Sequence, residues 1–153
     1  MKPQPSLGIF SQEYFMKQAF QQALLAAEEG EIPVGAVVVS GNRIIAQTYN
    51  QVERLNDVTA HAEILALTAA SEAIGNKYLM DCTLYVTLEP CLMCAGALRW
   101  SQLGKLVFAA QDDKNGFMRY GREILHPQTK VAYGVMEEEC KTLLKEFFSK
   151  LRK

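Results

Sequence analysis

Between Ser11 and Gly30, small and apolar residues recur every four positions at Phe15, Ala19, Ala23 and Ala27, and Phe20 and Leu24 widen the stripe. That period predicts an amphipathic helix, with the Ser11 hydroxyl suited to cap its first turn and Gly30 to stop it. The pattern then changes to a continuous β-branched run, GAVVVS. Gly41-Asn42 is a turn signal and RIIAQTY follows it, so residues 35–49 predict a hairpin. Residues 50–58, NQVERLNDV, are polar and read as loop.

From Ala60 onward, Ile64, Leu65, Leu67, Thr68 and Ala69 predict a buried helix to about Ile74, which Gly75-Asn76 ends. TLYVTL predicts a buried strand. Pro90 suits the first turn of a helix through CLMCAGALRW, and KLVFAA from Lys105 predicts another strand. Residues 111–130 are irregular, broken by Gly116, Gly121 and Pro127. KVAYG predicts a last short strand before a helix over Glu137–Leu151. Helices alternating with strands after the hairpin indicate an α/β class with a mixed sheet, because parallel neighbours require crossovers and a helix is the usual one. With no internal repeat, low-complexity tract or linker, residues 1–153 are expected to form one domain.

The bulk composition narrows the function classes. At 49% hydrophobic and 22% charged over 153 residues, the chain reads as a soluble globular protein. No apolar run approaches the ~20 residues that span a bilayer. The opening MKPQPSLGIF lacks the charged-then-apolar build of a signal peptide, so a cytoplasmic protein is expected. Four cysteines, Cys82, Cys91, Cys94 and Cys140, are too few and too unevenly spread for a disulfide scaffold. A net charge of -1 argues against nonspecific nucleic-acid binding by the whole surface, yet the charge is uneven. Residues 1–98 carry five Lys/Arg against ten acids, whereas residues 99–153 carry eleven against seven.

Two short stretches carry chemistry. Cys91 and Cys94 in EPCLMCAGA form a CxxC, a pattern shared by zinc sites, thiol redox proteins and chance helical pairs. His61 in TAHAEILAL, taken alone, is as well explained by a structural histidine. Their conjunction is more specific, since one group heads each of two predicted helices. Zinc takes imidazole and thiolate ligands in a tetrahedron, and hydrolytic sites use three so that water occupies the fourth corner. His61, Cys91 and Cys94 make three. Glu63, two positions from His61, can enter the same pocket as a proton carrier without ligating the metal.

HAE followed about thirty residues later by PCLMC resembles the zinc-dependent cytidine/adenosine deaminase superfamily. The longer stretches IPVGAVVV, TAHAEILAL, LYVTLEPCLMCAGAL and LVFAAQDDKNG resemble bacterial tRNA-specific adenosine deaminases, as does the ending ECKTLLKEFFSKLRK. The resemblance implies a three-layer α/β/α cytidine-deaminase-like fold around an approximately five-stranded mixed sheet. It implies a homodimer, one Zn²⁺ per chain held by His61, Cys91 and Cys94, and Glu63 as the proton shuttle. The implied reaction is hydrolytic deamination of adenosine to inosine at the wobble position of a tRNA anticodon, by zinc-activated water. By matching positions, Asn50 would contact the adenine, the Ala62 backbone would hold its polar edge, Pro33 and Val34 would border the pocket, and Asp112 would lie beside the RNA backbone. The basic residues of the last helix could then track an anticodon stem-loop.

Residues 117–134, FMRYGREILHPQTKVAYG, depart from the small-residue segment of the better-known bacterial members. They leave the hydrolytic chemistry intact and bear on what enters the pocket. Two alternatives stay open at this point. One is a deaminase of a free base or nucleoside such as guanine, cytosine or cytidine; the other is a catalytically silent, zinc-bearing RNA-binding module.

Overall fold

The computed structural model describes residues 11–152; the expectation drawn from residues 1–10 lies outside them. A 17-residue helix α1 (Gln12–Glu28) is capped at its start by the Ser11 hydroxyl, which accepts from the Tyr14 N–H at 3.0 Å. The hairpin forms as expected from β1 (Gly35–Ser40) and β2 (Arg43–Tyr49), with a shift in register between Val38 and Val39. The stretch read as loop after β2 instead contains one helical turn, α2 (Val52–Leu55). Then follow α3 (Ala62–Ile74), β3 (Cys82–Leu88), α4 (Leu92–Ser101), β4 (Lys105–Ala110), β5 (Lys130–Tyr133) and α5 (Glu137–Leu151). Two 3₁₀ turns, Phe117–Tyr120 and Arg122–Ile124, punctuate the segment between β4 and β5.

The five strands form one sheet in the order β2-β1-β3-β4-β5. β1 is antiparallel to both neighbours, while β3, β4 and β5 are mutually parallel. Four strands therefore point one way and β1 points the other. Because both faces are covered, the middles of the central strands are apolar runs, residues 36–39, 84–86 and 106–110, rather than alternating with polar residues. Ala36, Val38, Leu84, Val86, Leu106 and Phe108 face the layer containing α3 and α4. Val37, Val39, Tyr85, Val107 and Ala109 face the layer containing α1, with Cys140 of α5 packed there too. The expected three-layer α/β/α arrangement with a mixed five-stranded sheet is what the chain adopts. Among the described residues, no helix is long and apolar enough to cross a membrane.

Three details differ from the sequence pattern, each for a packing reason. In α1, Met16 and Ala26 are in the core and Ala27 is half-buried, because a straight 3.6-residue helix drifts away from a strict four-residue repeat. In α3, the buried residues are Ala62, Glu63, Ala66 and Ala70, whereas Ile64, Leu65 and Leu67 are half-buried. A stripe of alanines lets the helix lie close to the sheet and directs the large side chains to its flanks. Pro90 stands before the N-cap of α4 rather than in its first turn, since Cys91 is the cap.

Close packing is tightest at Gly35, the first residue of β1. A Cβ there would fall onto the backbone of α1, at the Ala19 carbonyl oxygen and the Ala23 nitrogen. Gly35→Ala is expected to lower unfolding stability by about 2–3 kcal/mol, as overpacking against immovable backbone does. Urea denaturation measures it, and a loss below 1 kcal/mol would show that α1 can move away from the sheet.

Candidate active site

Strand direction places the site. β2, β3 and β4 all end at the same edge of the sheet, and the chain leaving each of them turns back across it. α3 follows β2 and α4 follows β3, so both helices begin at that edge with their N-termini side by side. β1 starts there. Pro33, Val34, Asn50, His61, Glu63, Cys91, Cys94 and Asp112 are all drawn from the segments at this edge. Carboxyl ends of parallel strands are where α/β sheets commonly build ligand sites.

His61 is the N-cap of α3 and Cys91 the N-cap of α4, both with extended backbone. Cys94 is the third residue of α4 and fully buried. The His61 Nδ1 lies 3.7 Å from the Cys91 Sγ and 3.5 Å from the Cys94 Sγ. One donor atom from each of the three lies within 4.8 Å of the others. Bond lengths of about 2.3 Å to sulfur and 2.0 Å to nitrogen, at a tetrahedral angle, separate S and N by about 3.5 Å. The triad thus fits a tetrahedral metal ion, and the donor set is one that zinc favours.

The electrostatics of the group agree with that fit. Without a metal, a hydrogen bond from the Cys94 thiol, opposed by burial and aided by His61, lowers the Cys91 thiol to about 4. Its contact with Cys91, together with burial, raises Cys94. Hydrogen bonding to Cys91 raises His61. One thiolate therefore exists at neutral pH, at the positive end of a helix that favours it. Glu63, in the first turn of α3 and only 4% exposed, is pushed up to about 7 by burial, with its own backbone N–H and the Cys94 thiol opposing the rise. A carboxyl near neutrality can both take and return a proton.

Asn50, just past the end of β2, is buried at the same edge of the sheet. Its N–H bonds the Val34 carbonyl at 3.0 Å, and its Nδ2 donates to the Ile32 carbonyl at 3.2 Å. That carbonyl fixes the orientation of the amide, because it can only accept. The Asn50 Oδ1 is then left buried without a partner. A buried unpaired acceptor is costly unless a ligand supplies the donor. Pro33 and Val34 are buried next to it, and the Ala62 carbonyl is tied to β2 by the Thr48 hydroxyl at 2.8 Å. Asp112 sits on the loop after β4. Its Oδ1 accepts from the Lys114 and Asn115 N–H groups, so it also makes the turn that it occupies.

Two buried carboxylates at this edge are not evident from the sequence pattern. Glu31 accepts from the Glu53 and Arg54 N–H groups at 3.0 and 2.8 Å, capping α2 and holding the segment that follows Asn50. Glu89 accepts from the Asp112 and Met118 N–H groups, each at 2.9 Å. Gly116 lies so close to it that a Cβ there would strike the Glu89 carboxyl. The same loop bonds the Pro90 carbonyl through the Phe117 N–H at 2.9 Å and bridges Cys91 at Gly116. Glu89 thereby fastens the Asp112 loop to the segment bearing Cys91. The available signal is an acid closing an otherwise apolar strand immediately before Pro-Cys.

The family model for MafB19-like deaminases matches residues 10–152. The tRNA-specific adenosine deaminase of Aquifex aeolicus is 46% identical over 145 residues, 92% of this chain and 95% of that protein. The chain belongs to the tRNA-specific adenosine deaminases. Among solved structures, one from work on A-to-I editing by tRNA:A34 deaminases superposes with a TM-score of 0.80 at 40% identity, covering 85% of this chain and 98% of that one. The guanine deaminase of Bacillus subtilis reaches a TM-score of 0.63 at 41% identity and covers 66% of this chain and 65% of that one. The guanine deaminase of Nitrosomonas europaea covers 96% of this chain and 94% of that one with a TM-score of 0.79 at 24% identity. With the match to the tRNA:A34 deaminase, the cytidine-deaminase-like fold expected from the motifs is established.

The Glu89 clamp is directly testable. Glu89→Ala leaves two part-buried N–H groups unpaired and is expected to cost about 2 kcal/mol in urea denaturation, at the low end of ~1–3 for each such group. Cleavage by trypsin after Lys114 should accelerate in parallel; a variant as resistant as the wild type would show that the loop is held elsewhere.

Proposed function

We infer that this chain is a hydrolase that deaminates adenosine 34 of a tRNA anticodon to inosine. The observation that carries the reading is the group of half-buried His61 and Cys91 with buried Cys94 and Glu63 at the meeting of two helix N-termini. Residues 1–153 are read as one deaminase domain.

His61, Cys91 and Cys94 would hold one Zn²⁺. The ion, when bound, supplies the acidification that makes a water nucleophilic near neutral pH. Two thiolates and a neutral imidazole would offset its charge while leaving one position to solvent. Glu63 acts from beside these ligands. Its carboxylate takes one proton from the attacking water and gives it to the purine ring nitrogen; it then takes the second from the new hydroxyl and gives it to the amine, so that ammonia leaves and a carbonyl remains. Burial favours this cycling by keeping the protonated form accessible at neutral pH.

The base is read by the chain's own polar groups. The Asn50 Oδ1, buried and lacking a donor, would accept from the bound nucleoside. The Ala62 backbone would meet the polar edge of the base, and Pro33 and Val34 would form an apolar wall. The target must be turned out of any stack to enter such a pocket, which an unpaired anticodon loop makes less costly than a duplex. Asp112 would lie beside the incoming RNA backbone. α5 adds Lys141, Lys145, Lys150 and Arg152 along the anticodon stem.

A homodimer is supported by the outward face of α4. Leu92, Met93 and Trp100, the last 79% exposed, leave that helix apolar toward solvent. A cytoplasmic location accords with a tRNA substrate. A free-base deaminase, such as the guanine enzyme, is the second reading; the guanine deaminases match either at 41% identity over two-thirds of each chain or at 24% identity over nearly all of both.

The test is to incubate purified protein with an anticodon stem-loop carrying adenosine 34 and, separately, with adenine, guanine, cytidine and adenosine. Inosine and ammonia from the stem-loop are expected, and turnover of the small molecules alone would overturn the tRNA reading. Glu63→Ala should retain about one zinc per chain while losing at least ~10²-fold in rate; substantial activity in that variant removes the carboxylate from the mechanism. Cys91→Ala should lose zinc by elemental analysis, and unchanged content would exclude it as a ligand.

A further inference from the structure

The 3₁₀ turn Phe117–Tyr120 is anchored on every side except one. Phe117 is buried edge-on against Phe108, with ring centroids 6.1 Å apart. Its N–H is held by the Pro90 carbonyl and that of Met118 by the Glu89 carboxylate. Downstream, one nitrogen of the Arg99 guanidinium reaches the Glu123 and Leu125 carbonyls at 2.8 and 3.1 Å. Between these anchors, Tyr120 is 52% exposed, and the Arg119 guanidinium sits 5.5 Å from the centre of its ring. Arg119 is itself directed by a hydrogen bond to the Lys114 carbonyl.

An exposed tyrosine is ordinary. One displayed on a rigid turn, backed by a guanidinium and three to four residues from the segment that bridges Cys91, has the parts of a stacking platform. Residues 114–122 carry Lys114, Arg119 and Arg122 with no acid among them, although Asp113 and Glu123 flank the stretch. Such a surface suits a flat, electron-rich ring attached to a phosphate.

We propose that Tyr120, with Arg119 behind it, stacks an unpaired RNA base next to the one that enters the pocket, and that this pair sets the preference for a splayed loop over a free nucleoside. The inference rests on the tRNA reading of the site and assigns it a specificity element. Tyr120 supplies the π face and Arg119 supplies both a cation for that face and a donor toward the neighbouring phosphate. The rigid turn means that little ordering entropy is lost on binding.

Fluorescence anisotropy with a labelled adenosine-34 stem-loop measures the contact without depending on turnover. Tyr120→Ala is expected to weaken Kd about ten-fold, in the range found for base–aromatic stacking, while Tyr120→Trp holds it within two-fold. Arg119→Ala should weaken binding and flatten the dependence on salt. Deamination of free adenosine, zinc content and melting temperature should be unchanged in Tyr120→Ala. An unchanged Kd in that variant overturns the proposal, as does an equal loss for a fully paired RNA hairpin or an absence of saturable binding by the wild type. If the wild type binds the stem-loop but yields no inosine, the deaminase reading falls; a weakened Kd in Tyr120→Ala then still supports the platform.

Discussion

The site depends on bringing two helix N-termini to one edge of a sheet and placing three soft or borderline donors there within 4.8 Å of one another. The topology makes this possible. Because β1 alone runs against the other strands, β2 and β3 both deliver their chains to that edge, where α3 and α4 begin. The N-cap positions of α3 and α4 are then neighbours, and His61 and Cys91 occupy them. Helix N-termini stabilise thiolate there, and a divalent ion would discharge the remaining conflict between Cys91 and Cys94 over one proton.

Three buried carboxylates surround the same edge and divide the labour by what they accept. Glu31 and Glu89 each receive two backbone N–H groups from segments more than twenty residues away, so they act as ties between loops. Glu63 receives only its own N–H and the Cys94 thiol, and burial raises its pKa to about 7. Carboxylates committed to the amides of distant loops hold structure; the one with only local donors remains available for proton transfer. Asn50 shows the same logic for a neutral group, one side of its amide spent on Ile32 and the other held open.

Much of this is legible in the chain. The bounds of α5 follow from Glu137–Leu151 alone, and the hairpin follows from GAVVVS, Gly41-Asn42 and RIIAQTY. The metal donors are legible only in combination, because a lone histidine or CxxC is ambiguous and the spacing between them is set by tertiary structure. Glu89 and Glu31 escape notice because their partners are amides of distant loops, which carry no side-chain signature. The inward face of α3 is misjudged for a related reason: Ala66 and Ala70 are buried by the closeness of the sheet, and hydrophobicity favours the leucines instead. α2 is hidden in a polar stretch, since its stability comes from the Glu31 cap rather than from its own residues.

The central claim is that His61, Cys91 and Cys94 hold one zinc ion with a position left for solvent. Zinc K-edge absorption spectroscopy on the purified full-length protein tests it most directly. Two sulfurs at about 2.3 Å and one imidazole nitrogen at about 2.0 Å, with a further light atom in the shell, are the expected result. A shell of four protein ligands, or one lacking sulfur, would contradict it.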